Sequence, residues 1–107
     1  MVEHVTVAEL VDRVVDGSGT VIDVREFPEF VSGHIPGARH VPLHLIPIKH
    51  ADIPSDGSAF VICESGARSW QAAAFLERQG ISVLNVQGGM AAWRANGLAT
   101  ATGAEQS

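Results

Sequence analysis

The chain has 107 residues, 46% of them hydrophobic and 18% charged, with one cysteine and a formal net charge of −5. That describes one domain of ordinary size with enough apolar residues for a single core, and it excludes a disordered chain and an internal disulfide. The negative balance without clustered Lys and Arg argues against nucleic acid and membrane surfaces as partners, and with no basic, apolar leader and no bilayer-length segment the expected location is the cytoplasm.

Apolar runs bounded by turn residues alternate with helix-period segments, the pattern of an α/β domain on a largely parallel sheet. His4-Val5 reads as a short first strand. Thr6-Val7-Ala8-Glu9 has the form of a capping box and opens a helix whose apolar face is Val7, Leu10, Val11, Val14 and Val15, ended by Gly17-Ser18-Gly19. Thr20 to Val24 is a β-branched strand, apolar enough to lie centrally. Phe27 to Val31 can form a brief helix with Pro28 early in it. Gly33 to Gly37 is a turn-rich connection, Ala38 to Val41 a short strand, and Pro42 to Ser58, with prolines at 42, 47 and 54, is irregular or holds one short helix. Ala59 to Ile62 is a buried strand, Ser69 to Gln79 an alanine-rich helix stopped by Gly80, and Ile81 to Val86 another strand. A last helix, Met90 to Ala95, is entered through Gly88-Gly89 and left through Asn96-Gly97. Apolar periodicity ends there, so residues 1–98 are expected to form the domain and 99–107 a frayed, flexible tail.

The most informative segment begins at Cys63, which closes the strand Ala59 to Ile62 and precedes Glu64-Ser65-Gly66-Ala67-Arg68-Ser69. A lone cysteine after Val61-Ile62 would ordinarily be a small buried hydrophobe. Here Gly66 lets the backbone take a positive φ, so that successive N–H groups can converge on one point, and the start of the following helix adds its unpaired N–H groups and dipole. Both favour an anion at the sulfur. The thiolate is the nucleophilic form, so a lowered pKa makes Cys63 reactive near neutral pH.

Several stretches together carry a resemblance: Asp23-Val24-Arg25, Glu29-Phe30, Gly33-His34-Ile35-Pro36-Gly37-Ala38, Cys63-Glu64-Ser65-Gly66-Ala67-Arg68-Ser69, and Gly88-Gly89 with Trp93 and Gly97. In this order and over roughly Val5 to Leu98, they closely resemble the single-domain rhodaneses, which are sulfurtransferases. The resemblance implies a rhodanese-like α/β fold, a small, mostly parallel five-stranded sheet flanked by helices on both faces, with the cysteine loop at the carboxyl ends of the strands. Ligands bind there in open α/β sheets generally.

It also implies a double displacement in which Cys63 takes the outer sulfur of a donor such as thiosulfate as a persulfide and passes it to a thiol or cyanide. No metal or organic cofactor is needed. The loop residues Glu64, Ser65, Gly66, Ala67 and Ser69 would line the binding site, with Arg68 holding the donor anion, since a guanidinium pairs well with an oxyanion. Small sulfur donors and thiol acceptors are the expected partners, a protein persulfide donor is a further candidate, and a monomer or weak homodimer is expected. Glu64 departs from what a thiosulfate site would favour, because a carboxylate beside the nucleophile repels a dianion. A persulfide carrier or partner-docking module without efficient thiosulfate turnover is therefore the alternative. Cysteine-dependent phosphatases on related folds place five residues between nucleophile and arginine, whereas only four intervene here, and the smaller ring suits one sulfur better than a phosphate.

The remaining polar residues read as structural support. Asp23 and Arg25 form a buried pair at a strand end, with Glu29 a further partner for Arg25. His34 fastens its turn by hydrogen bonding. Pro42 and Pro47 break any helical register among His40, His44 and His50, so no metal site is expected. Trp70 and Trp93 are core or rim aromatics, Trp70 being placed to border the pocket.

Overall fold

The computed structural model describes residues 1–105. Five strands, β1 (Glu3–Val5), β2 (Thr20–Asp23), β3 (Arg39–His40), β4 (Ala59–Ile62) and β5 (Leu84–Val86), form one sheet in the order β1-β5-β4-β2-β3, with every pairing parallel. The helices are α1 (Val7–Val15), α2 (Phe27–Ser32), α3 (Ile46–Lys49), α4 (Ala67–Arg78) and α5 (Gly89–Ala95), with short 3-10 turns at Leu43–Leu45 and His50–Asp52 on either side of α3.

Alternation along the central strands divides the core between two faces. Val21, Phe60 and Ile62 join Val7 and Leu10 of α1, Phe30 of α2, and Met90 and Trp93 of α5 on one side. Ile22, Val61 and Cys63 join Ile46 of α3 and Ala72, Ala73 and Leu76 of α4 on the other. Strand β4 is covered on both faces, as its unbroken apolar run requires, and β2 beside it is buried from Val21 to Asp23.

Local chemistry sets the helix boundaries. Thr6 Oγ1 accepts from Glu9 N–H at 3.2 Å while Glu9 Oε1 accepts from Thr6 N–H, completing the capping box. Helix α4 begins two residues before Ser69, because Gly66 at φ +107° is its left-handed N-cap and Ala67 and Arg68 are already helical. Val15 does not join the apolar face of α1. It is 81% exposed, since the helix ends there and turns it away from the sheet. Strand β5 is shorter than its apolar run, for Ile81 and Val83 pack on the α4 side without pairing.

The segment expected to fray from Ala99 is docked over residues 99–103. Trp93 Nε1 donates to Ala99 O at 2.9 Å, His34 and Ala101 exchange two backbone hydrogen bonds, and Gly103 N–H donates to Val31 O. Backbone groups hold this segment, so side-chain periodicity carried no sign of it. The end of the expected tail, residues 106–107, lies outside the described residues.

Candidate active site

Cys63 leaves β4 on the face that carries Val61, buried against α4. The chain then turns through Glu64 and Ser65 to left-handed Gly66, whose N–H donates to Cys63 Sγ at 3.1 Å, and one turn into α4 the hydroxyl of Ser69 donates to the same sulfur at 3.3 Å. Burial pushes the thiol's pKa up. The side chain and N–H of Ser69 and the N–H groups of Gly66 and Ser65 outweigh that, and the net shift is downward. The loop thus favours a thiolate, as the positive φ at Gly66 and the helix start predict.

A second element closes the loop from behind. Met90 N–H donates to Cys63 O at 2.8 Å and Ala91 N–H to Glu64 O at 3.0 Å, so the first turn of α5 holds the two carbonyls that begin the loop. Gly89 permits this approach: a Cβ there would lie 2.4 Å from Cys63 O. Asn85 of β5, 3% exposed, donates its amide to Gly66 O at 3.3 Å. Its signal in sequence is a single amide within the apolar run Ile81 to Val86.

Charged residues frame the mouth in two sets. Asp23 is fully buried and accepts from Arg25 N–H and Nε at 3.0 Å and from Nη2 at 2.8 Å, while Arg25 Nη2 also donates to Gly33 O at 2.7 Å. The remaining guanidinium nitrogen of Arg25 lies 3.6 Å from Glu64 Oε1, and Glu64 Oε2 accepts from Arg94 of α5. Glu64 is therefore a carboxylate between two cations rather than an unopposed charge. In the second set Glu29 pairs with Arg68, not with Arg25 as the sequence led us to expect. The two ends of the guanidinium meet the two carboxylate oxygens at 2.7 and 2.9 Å. Two of the three guanidinium nitrogens of Arg25 are held by Asp23 and Gly33, whereas Arg68 on the first turn of α4 faces the start of α2. The Arg68 hydrogen bond holds Glu29 down to about 2, and the same pair raises Arg68 above its ordinary value. Arg68, assigned to the donor anion by resemblance, thus has the end of its guanidinium engaged by Glu29.

His34 is buried and its Nδ1 donates to Phe30 O at 2.8 Å, fastening the turn as expected. His40 Nε2 donates to Arg25 O at 2.7 Å, and both imidazoles stack on Phe30. His44 is exposed, and the half-buried His50 meets the edge of Phe75. Among the described residues no cluster of three or more His, Cys, Asp or Glu is placed to hold a metal ion. Ala67 and Ser65 are exposed beside the loop, as is Trp70, which is 48% exposed. An apolar cleft of about 240 Å³ lies elsewhere, lined by Val11, Val14, Val15, Pro36, Trp93, Leu98 and Ala99, and no residue of the cysteine loop touches it. No helix among the described residues is long and apolar enough to cross a membrane.

Residues 6–96 match the model of the rhodanese-like domain family. A sulfurtransferase of Allochromatium vinosum is 42% identical over 100 residues, covering 92% of this chain and 94% of that protein. The thiosulfate sulfurtransferase GlpE of Pseudomonas putida is 44% identical over 78 residues, covering 70% of this chain and 69% of that protein. Among solved structures, a rhodanese-related protein from Thermoplasma volcanium superposes with a TM-score of 0.85 at 29% identity, covering 92% of this chain and 97% of that one.

Proposed function

Because the chain belongs to the rhodanese-like domain family of sulfurtransferases, we propose that it transfers sulfane sulfur through a persulfide on Cys63. The observation that carries this reading is the cradle of Gly66 N–H and Ser69 hydroxyl on a single buried sulfur whose pKa is lowered.

With thiosulfate as donor, the Cys63 thiolate attacks the outer sulfur. The new S–S bond forms on Cys63 as the donor's S–S bond breaks, and sulfite leaves with the electron pair. An acceptor thiolate or cyanide then attacks the terminal sulfur, breaking the bond to Cys63 and returning its thiolate. Sulfur moves without net oxidation of the protein, and one hard transfer becomes two easier ones. The loop N–H groups that stabilise the thiolate are equally suited to the negative sulfur of the persulfide. The partners in this reading are small sulfur donors and thiol acceptors in the cytoplasm.

Mass spectrometry of the intact protein tests it. Incubation with thiosulfate, and separately with glutathione persulfide, should add about 32 Da, one sulfur, removable by cyanide or thiol, and Cys63→Ser should gain nothing. Sulfur transfer by Cys63→Ser at the parent rate overturns the proposal. The identity of the better donor separates a thiosulfate enzyme from a persulfide carrier.

A further inference from the structure

Among the buried polar side chains, Asn85 has no part in the reaction as described. It stands between Leu84 and Val86 in β5, in register with His4 of β1 and Val61 of β4, on the sheet face that carries Cys63. Its Nδ2 lies 3.3 Å from Gly66 O and 3.2 Å from His4 Nδ1. A carbonyl can only accept, so the amide nitrogen faces Gly66, and His4 offers Nδ1 as a lone pair with its proton on Nε2. Asn85 Oδ1 is left buried with no partner among the described residues. An aliphatic side chain in this strand would avoid that orphaned acceptor, so the orientation of the amide is costly for stability and its two donations are what the arrangement retains.

The Ser69 hydroxyl gives those donations a use. It has one proton and two acceptors in reach, Cys63 Sγ at 3.3 Å and Gly66 O at 3.2 Å. Gly66 O also receives Trp70 N–H at 3.1 Å and the Asn85 amide. A carbonyl oxygen has two lone pairs, and Trp70 with Asn85 fills both. We propose that Asn85 is a positioning residue that occupies the Gly66 carbonyl and thereby directs the Ser69 proton onto the sulfur of Cys63. Without the amide, one lone pair of Gly66 O opens, and while Cys63 is a neutral thiol the hydroxyl turns toward it, because a carbonyl oxygen is a stronger acceptor than thiol sulfur. Ionisation must then draw the proton back from Gly66 O, so the thiolate gains less from its hydroxyl donor. This inference rests on Cys63 being the nucleophile proposed above, yet it concerns the thiol before any sulfur is loaded.

The test is the rate of Cys63 alkylation by iodoacetamide as a function of pH, in the parent chain, Asn85→Leu, Ser69→Ala and the double variant. Asn85→Leu should slow alkylation at pH 7 by about threefold to tenfold, the size of one net hydrogen bond, and raise the midpoint of the pH profile by about half to one unit. Ser69→Ala should do the same. The double variant should be no slower than Ser69→Ala alone, because no proton remains to be diverted. Independent, multiplying losses, or an unchanged pH profile in Asn85→Leu, overturn the proposal. Leucine keeps the heavy-atom count and branching of asparagine but is bulkier, and Asn85→Ala, which cannot overpack, repeats the measurement if leucine prevents folding. Alkylation needs no sulfur donor. A coupled thiol in a protein that never gains 32 Da would break the sulfurtransferase reading and leave this one standing.

Discussion

The loops that leave β2 and β4 start side by side, Asp23 being in register with Ile62, and each opens on a group that can be an anion. After β2 the carboxylate of Asp23 is closed on all sides by Arg25, whose spare donor ties down Gly33. After β4 the sulfur of Cys63 receives two hydrogen bonds within a loop whose tip, Ser65, is exposed. The same edge of one sheet thus holds a saturated polar group and an undersaturated one. Saturation makes a rivet, whereas a sulfur held by donors at the base of a loop with an exposed tip keeps the electron pairs that the proposed transfer requires.

Exchanging the properties of the two loops tests that contrast. The largest effect is expected at the open loop: Cys63→Ser should lower sulfur transfer on the order of 10⁴-fold or more, as loss of a nucleophile does, while a denaturant titration should find stability changed by less than about 1 kcal/mol. At the closed loop the outcome reverses. Asp23→Ala should cost about 3–5 kcal/mol of stability by leaving Arg25 buried and unpaired, with the cysteine of the molecules still folded remaining alkylatable.

Smaller effects come from the charges between the loops. Glu64→Gln removes the carboxylate shared by Arg25 and Arg94 and turns both cations toward the mouth. The kcat/KM for thiosulfate should rise about three- to thirtyfold, and added salt should shrink the gain. An unchanged value at every ionic strength would mean that the two arginines already cancel the charge of Glu64. Arg68→Ala is expected to have the smallest effect, costing at most about 1 kcal/mol because the Glu29 pair is one-third exposed and screened. Its pH signature follows from Glu29, whose pKa is lowered on folding. The pair's contribution is complete above the ordinary glutamate range near 4.3 and disappears as pH falls toward about 2. The stability difference between parent and Arg68→Ala should therefore be constant above that window, shrink through it and vanish below it. Turnover with thiosulfate and with glutathione persulfide should fall by the same factor if Arg68 shapes the loop, and unequally if it leaves Glu29 to bind the donor.

The parts of this molecule legible in its sequence are those whose cause is local. The capping box of Thr6 and Glu9, the strand Ala59–Ile62 and the cradle made by Gly66 depend on neighbours a few residues apart, and all appear where the pattern puts them. The partners of the charged groups are not local. Glu29 and Arg68 lie 39 positions apart, and Glu64 and Arg94 lie 30 apart, so only the packing of α2, α4 and α5 around one strand edge decides who meets whom. Nothing near Asn85 in the chain indicates that it touches Gly66, because that contact exists only once β5 lies beside β4. The docking of residues 99–103 has no sequence signal for a different reason: apart from the Trp93 indole that donates to Ala99 O, backbone carbonyls and N–H groups make the contact, and these are the same in every sequence.

The placement of β5 between β1 and β4 also bears on how the protein is made. Strand β1 emerges first yet pairs only with β5, one of the last elements of the chain, so the amino-terminal strand has no sheet to join until almost all of the sequence is available. Such separation raises the entropic cost of loop closure and slows folding relative to a sheet assembled in chain order. Until then β4 presents an open edge beside a thiol that lacks both its Asn85 prop and the grip of α5. The hydrogen-bonded setting of Cys63 is consequently among the last features the folding chain completes, and amide exchange at Val5, Val86 and Met90 should report one cooperative closing event.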